Sequence, residues 1–436
     1  MAAHSPLEQL ANELSSATKI VADYLRTSGH VQPSFDREAP SNVLPPDAPL
    51  EIKNARTQIL DASLKIQQLA QGPAEFLPNL QVGVQHLTAV RWMLHFKALQ
   101  AIPHDEPISY RRLSILTHVP ESQLKSISRM AMTAGLFCEP YPNCIAHTAT
   151  SYHLATNEAF QDWALWMAET TAPTAFKHVE ATEKWGDTKE KHQTAYALAM
   201  GIDIPFFDHL KLDANRTKQF ANYMKTVTSV EGTDIKHLVA GFPWASLPKN
   251  ATIVDVGGST GHASKALAKA HKHLKFVVQD LGEVVDNVDQ TLADCPEHVK
   301  GRITYRTHNF FEEQPIKGAD VYLLRMIIHD WPEEQAILIL KNLVPAMKNR
   351  SRMIIADTVL PRPGRIPLSK ERLLRVRDLT MLQVFNSLER SEEDWKELLA
   401  KVDTRLKLRA VREPFGSVMG ILEVVFEEEY EGYGDR

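Results

Sequence analysis

A run of β-branched residues that empties into three closely spaced glycines leaves a chain few folds to choose from. Here the run is Ile253-Val254-Asp255-Val256-Gly257-Gly258-Ser259-Thr260-Gly261, followed by the helical segment HASKALAKAHK. Glycine permits positive φ and close approach of backbone to a ligand. A strand–turn–helix of this kind sits at the carboxyl edge of a sheet, where α/β folds bind ligands. The surroundings agree. KFVVQDL, ADVYLLRMII and RMIIADTVL are further short apolar runs, separated by the helical segments GEVVDNVDQTLADC and EEQAILILKNLVPAMK. Such alternation is the signature of a parallel α/β sheet. ERSEEDWKELLAKV, LRAVREP and GILEVVFEEEY then add a helix and two closing strands. The predicted fold class is α/β.

Three chemistries compete for the glycine turn. A dinucleotide fingerprint needs G-x-G-x-x-G, and Ser259 stands where the second glycine belongs. Gly257 to Gly261 also spells G-x-S-x-G, the nucleophile elbow of α/β hydrolases, with Ser259 as nucleophile. The third reading is D-x-G-G-x-x-G, a methyltransferase pattern in which glycine backbone lies against the amino-acid end of S-adenosylmethionine. Asp280, closing Phe276-Val277-Val278-Gln279-Asp280, helps to decide. An acid at the end of the second strand can accept two hydrogen bonds from a ribose diol, which a hydrolase does not need. No HGGG-type oxyanion segment accompanies the serine. Each feature alone also reads as a turn glycine or a helix-capping Asp; together they favour a nucleoside cofactor.

His329-Asp330-Trp331 follows VYLLRMII, so a histidine stands at a strand end on the ligand edge. An imidazole, with its ordinary pKa near ~6.5, can accept a proton near neutral pH. Asp357 closes the next strand and Glu389 lies in Ser387-Leu388-Glu389-Arg390-Ser391. Two carboxylates converging on a histidine fix its tautomer and stabilise the imidazolium. The plainer reading is a structural histidine with Glu389 as a loop charge. Asp330 with Glu333 fits a helix-capping box, with Pro332 in the first turn, so Asp330 is read mainly as a cap.

The chain has 436 residues, too many for a typical single domain. Residues 5–28 read as a helix with an apolar stripe, 29–50 as a linker with five prolines, and 51–71 as a helix. Residues 84–103 form a strongly apolar helix by pattern. The next segment reads as helix–turn–helix, with Pro120 and Glu121 near the second start and Gly135 at the stop, and Leu136 to Leu154 suits a short β wing. That winged-helix pattern suggests DNA binding, but its second helix offers only Lys125 and Arg129 beside Glu121. Phosphate recognition wants a richer basic face, and the net charge of −5 supplies no global field for nucleic acid. A dimerisation and substrate-capping domain fits better. Three cysteines (Cys138, Cys144, Cys295) make neither a disulfide framework nor a zinc site. The N-terminus does not look like a signal peptide, and no long apolar run predicts a membrane span. A cytoplasmic protein without membrane, nucleic-acid or metal partners is expected.

DVGGSTG, Asp280, LLRMIIHDW, Asp357 and LERS occur in an order that resembles the plant-type small-molecule O-methyltransferases, in the style of the fungal branch acting on polyketides and alkaloids. FPWASLPKNATIVDVGGSTG and AHTATSYHLA carry the fungal flavour, and the resemblance covers roughly residues 80 to 430. It implies a Rossmann-like class I methyltransferase sheet with helices on both faces, plus an N-terminal, mainly α, winged-helix dimerisation domain. The implied division is a helix and Pro-rich linker over 1–50, the dimerisation domain over 51–190 and a catalytic domain over 191–436. Gly257, Gly258 and Gly261 would face the methionine part of S-adenosylmethionine and Asp280 its ribose. Asn309-Phe310 would stand around the adenine, where relatives usually have Asp, and Arg325 where many have a cofactor-touching Lys. His329 matches the general base and Asp357 and Glu389 the acids bracketing it. Met381 and Phe385 fall in the substrate wall, with Asp330 as a further substrate contact. The expected activity is methylation of a hydroxyl on a small aromatic or polyketide-like molecule by a homodimer. Some relatives have replaced methyl transfer by pericyclic or dehydration chemistry, which is the alternative expectation.

Overall fold

The computed structural model describes residues 5–229, 231–285, 292–293 and 295–427. By its internal contacts the chain divides into two units. One comprises Met1–Pro173, Asp213–Thr226 and Ile366–Arg372; the other comprises Thr174–Leu212, Val227–Arg365 and Leu373–Arg436.

The second unit is built on a seven-stranded sheet. Its strands are β1 (Thr252–Val256), β2 (Lys275–Asp280), β3 (Ile303–Thr307), β4 (Val321–Arg325), β5 (Arg352–Asp357), β6 (Leu406–Arg412) and β7 (Gly420–Phe426). They lie in the order β3-β2-β1-β4-β5-β7-β6. β1 to β5 are parallel, and β7 runs antiparallel to both of its neighbours. Successive side chains on a strand point to opposite faces, so the β-branched runs split between two cores. Val254, Val256, Tyr322, Leu324, Met353 and Ile355 pack with helices Glu333–Leu343 and Glu392–Val402 on one face. Ile253, Val321, Leu323, Ile354 and Ala356 pack with helix His262–Ala270 and Trp244 on the other. Helices thus cover both faces, as predicted. The order of strands reverses between β1 and β4, and a crevice at such a point, outside the strands' carboxyl ends, is where open α/β sheets take ligands.

β3 was not among the predicted strands. ITYRT is an edge strand whose residues are mostly exposed, so it carries no continuous apolar run. Of the predicted helix GEVVDNVDQTLADC, Gly282–Val285 is helical, and residues 286–291 and 294 lie outside the described residues. So does the end of GILEVVFEEEY beyond Glu427.

The first unit opens with helix Pro6–Thr27, started by a capping box between Ser5 and Glu8, and helix Leu50–Gln71, packed together through Val21, Leu25, Ile52 and Ala55. Helix Phe76–His95 begins earlier than the apolar pattern predicted, because Gly72 at positive φ and Pro73 turn the chain straight into it. It also ends earlier. Lys97 takes a left-handed conformation at φ 54°, and a separate short helix, Ala98–Ala101, follows. Helices Tyr110–Thr117 and Glu121–Met132 come next, then an antiparallel sheet of Ile108–Ser109, Cys144–Ala146 and Cys138–Tyr141. That sheet is shorter than predicted. Thr148 and Ser151 form a capping box that starts helix Ala149–Thr156, so residues up to Leu154 leave the hairpin. No helix among the described residues is long and apolar enough to cross a membrane.

Candidate active site

The turn after β1 is held by four hydrogen bonds that leave its inner face as bare backbone. Gly258 N donates to Gln279 O at 3.0 Å, Ser259 N to Asp280 Oδ2 at 2.8 Å and Gly261 N to Gly258 O at 2.8 Å. The Tyr305 hydroxyl donates to Thr260 O at 3.0 Å. Gly257 and Gly261 sit at φ 68° and 72°, a region that disfavours any side chain. There is no room for one either. A Cβ on Gly257 would come 2.7 Å from Ile327 Cδ1, one on Gly258 would come 2.6 Å from Asp255 Cγ, and one on Gly261 would overlap the Tyr305 hydroxyl. Beneath the turn Asp255 is buried, accepts from Ser264 Oγ at 2.6 Å, and is pushed up to about 6 by burial. Each oxygen of Asp280 takes one backbone donor, Leu281 N at 2.8 Å and Ser259 N. A carboxylate has about four acceptor sites, so capacity remains for a diol. Ser259 Oγ hydrogen-bonds no histidine among the described residues, so the nucleophile-elbow reading lacks its base.

Phe310 adjoins this turn, with its Cε1 3.5 Å from where a Gly257 Cβ would stand. Asn309 Oδ1 accepts from Phe311 N at 3.1 Å, closing a tight turn with one of its two lone pairs. Arg325, at the end of β4, donates through Nη2 to Thr233 O at 3.0 Å, while its Nε is buried with no partner among the described residues.

A 3₁₀ turn, Ile328–Asp330, brings His329 into a buried acidic cluster. His329 Nδ1 lies 3.0 Å from Glu389 Oε1, and Nε2 lies 3.6 Å from Asp330 Oδ1, beyond hydrogen-bond range. Asp357, at the end of β5, is wholly buried, and neither of its oxygens has a partner among the described residues; Glu389 Oε2 is in the same position. Burial pushes Asp357 up to about 7 and Asp330 to about 6. For His329, burial opposes the charge, but the carboxylates of Glu389, Asp330 and Asp357 outweigh it and raise the imidazole above its ordinary value. The ordinary value expected from sequence therefore gives way to an imidazole that favours its protonated form. The capping expectation for Asp330 also fails. Helix Glu333–Leu343 has Pro332 as its N-cap and no side-chain cap, because Asp330 ends the 3₁₀ turn and Trp331 is extended.

Met381 and Phe385 lie near the end of helix Leu368–Phe385, and Phe385 packs against Phe206 and Phe207 at ring separations of 5.2 and 5.6 Å. The segment that leaves this helix clamps the histidine turn, which sequence reasoning missed. Ser387 Oγ donates to Trp331 O at 2.8 Å, and Arg390 donates to Ile328 O and to Trp331 O, each at 3.2 Å. The only signal for this was the adjacency of those residues to Glu389.

A sheet of this order, with its glycine turn beside the switch point, is the framework of the class I S-adenosylmethionine-dependent methyltransferases. The chain belongs to their O-methyltransferase family: residues 184–403 match the family described as "O-methyltransferase domain". Residues 4–71 match a second family, described as "Trypacidin cluster transcriptional coactivator tpcD N-terminal domain". The O-methyltransferase VdtC of Byssochlamys spectabilis is 50% identical over 427 residues, covering 97% of this chain and 98% of its own length. Among solved structures, OxaC in complex with SAH and oxaline is similar with a TM-score of 0.73 at 21% identity, covering 97% of this chain and 99% of that one. A structure titled "A Pericyclic Reaction enzyme" is similar with a TM-score of 0.71 at 22% identity, covering 96% and 100%. The chain is an S-adenosylmethionine-dependent O-methyltransferase. Its residues fit that cofactor: the turn has no room for side chains, and Arg325 keeps a buried polar atom unpartnered among the described residues.

Proposed function

We propose that the enzyme methylates a phenolic or enolic hydroxyl of a small aromatic or polyketide-like secondary metabolite, with His329 as general base. The observation that carries this reading is the division of labour on one imidazole. Nδ1 is committed to Glu389 at 3.0 Å, while Nε2 has no hydrogen bond to protein among the described residues. When Nδ1 bears the proton, Nε2 is the basic atom. Nε2 would take the proton of an acceptor hydroxyl held beside it. The cofactor supplies an electrophilic methyl carried by a sulfonium. Glu389 holds the ring and compensates the imidazolium, and Asp357 and Asp330 add negative potential. Placing oxygen and methyl in line supplies much of the acceleration, and base catalysis adds about 10²–10⁴-fold.

Gly257, Gly258, Gly261 and Asp280 would hold the methionine and ribose parts, Asn309 and Phe310 the adenine, and Arg325 the carboxylate end. Met381 and Phe385, with the aromatic rings packed on Phe385, would wall the acceptor. Residues 110–146 would serve as a winged helix within a dimerisation domain, and the enzyme would act as a homodimer. Likeness to the pericyclic enzyme extends only to the fold, and the presence of His329, Asp357 and Glu389 together favours methyl transfer.

The test is calorimetric titration with S-adenosylmethionine, followed by mass spectrometry after incubation with a panel of phenols and aromatic polyketides. Binding with a product heavier by one methyl is expected. Binding with isomerised or dehydrated products and no methyl gain would overturn the proposal in favour of pericyclic or dehydration chemistry.

A further inference from the structure

Three aromatic rings lead from the glycine turn outward. Phe310, whose edge adjoins Gly257, meets Phe311 at 5.1 Å and Trp331 at 5.7 Å, and Phe311 meets Trp331 at 4.7 Å and 83°. Edge-to-face contacts of this kind fix ring orientation as well as position. The far side of the cluster is capped by a lysine. Lys191 Nζ stands 4.1 Å from the Trp331 ring centre and 5.0 Å from that of Phe311.

That lysine comes from outside the sheet, on the loop between helix His178–Trp185 and helix Ala195–Met200. The loop is folded on itself through Thr188 Oγ1 to Gln193 Oε1 at 2.7 Å and Gln193 N to Glu190 O at 3.1 Å. It is fastened by Asn386 Nδ2, which donates to Glu190 O at 2.8 Å and to Gln193 O at 3.1 Å. Asn386 precedes Ser387, which holds Trp331 O, and lies three residues before Glu389, which holds His329. Behind the loop is a cavity of about 430 Å³, lined by Asp187, Thr188, Gln193, Leu382, Asn386 and Arg390 among others. Asn386 thus fastens the loop beside the aromatic contacts of Lys191, and its far end runs into the buried residues Thr194 and Ala195.

Lys191 is half-buried, and burial lowers its pKa. The Asp208 carboxylate partly opposes this shift without forming a salt bridge, and ring faces replace part of the lost hydration. An ammonium over indole is worth more as water is removed, which makes this contact a device for fixing the ring rather than a solvated surface charge.

We propose that Lys191 is a positioning residue for the cofactor: by capping Trp331 and Phe311 it holds the aromatic wall beside the glycine turn in the orientation that receives the adenine. This rests on the adenine placement proposed above for Asn309 and Phe310. The wall does not bear charge itself; the cation outside it decides how firmly it is set. Binding energy is then not consumed in ordering the rings.

Titration calorimetry with S-adenosylhomocysteine separates the two readings, using wild type, Lys191→Met, Lys191→Arg and Asp280→Ala. Lys191→Met keeps the length of the side chain and removes its charge. We expect its affinity to fall about threefold to tenfold, in keeping with one desolvated cation–π contact, with the melting temperature of the free protein unchanged. Lys191→Arg should stay within about twofold of wild type, since a guanidinium also stacks on indole. In turnover, Lys191→Met should raise KM for S-adenosylmethionine and leave kcat within about twofold. Wild-type affinity in Lys191→Met, with Asp280→Ala weakened, would overturn the role of Lys191 alone. Equal loss in Lys191→Arg would also overturn it, as plain packing. No binding by wild type, or an unweakened Asp280→Ala, would instead bring down the cofactor placement.

Discussion

At His329 the surrounding carboxylates set the pH at which chemistry can start. Only a neutral imidazole can take a proton, and the charges of Glu389, Asp330 and Asp357 hold the ring in its protonated form to higher pH than an ordinary histidine. The acid limb of kcat/KM should therefore lie above the ordinary histidine range of about 6.5. Glu389→Gln removes the nearest negative charge, so the limb should move to lower pH while kcat falls. A limb that stays in place would dissociate Glu389 from the base. His329→Ala should cut turnover by about 10²–10⁴-fold and leave calorimetric affinity for S-adenosylhomocysteine near wild type; unchanged methylation would remove the histidine from the reaction. His329 and Asp357 could be picked out because each follows or closes an apolar strand run, whereas Glu389 lies in a loop and was marked only by the resemblance of LERS to a family motif. Asp330 was misread: D-x-x-E spacing looks like a cap, but Pro332 takes that place in three dimensions. Lys191, Asn386 and Arg390 were illegible. Their partners are ring faces and main-chain carbonyls, which no local pattern announces.

Among elements, the turn after β1 is the most demanding. Gly261→Ala meets two obstacles, a positive φ costing roughly 1–2 kcal/mol and overlap with the Tyr305 hydroxyl. Its affinity for S-adenosylhomocysteine should drop about tenfold or more, for a free-energy change of about 1.4 kcal/mol per decade. Adding Tyr305→Phe should restore only part of that loss, because it removes the overlapping hydroxyl while the φ strain persists, the ring carbon stays 3.1 Å from the new Cβ and the hydrogen bond to Thr260 O is lost. Full restoration would mean that φ strain at Gly261 is unimportant. Strands β1, β2, β4 and β5 were readable from their apolar runs because both of their faces are covered. Edge strand β3 was not, since its residues are largely exposed. The boundary of helix Phe76–His95 was missed by several residues at each end, because Gly72 and Lys97 act through backbone conformation rather than through hydrophobic period.

For the whole molecule, light scattering should give twice the 49.1 kDa chain mass. Phe76, Leu77, Leu80 and Val84 are exposed on helix Phe76–His95, and apolar groups clustered on one element mark an interaction surface. Leu77→Glu combined with Leu80→Glu should shift the mass toward that of one chain; a wild-type monomer would end the dimer proposal. The α/β class could be read from the sequence, whereas the order of its strands could not. Alternating runs do not say that the last strand inserts between two earlier ones. That insertion also sets a timetable for biosynthesis. The ribosome releases β5 well before β7, so the nascent chain carries the row Met353–Ala356 with one side unpaired until Gly420–Phe426 has emerged. An unpaired strand edge is a template for self-association. A premature stop after Asp357 but before Gly420 should therefore yield an insoluble product, not merely an inactive one, and chaperone demand should be greatest late in translation.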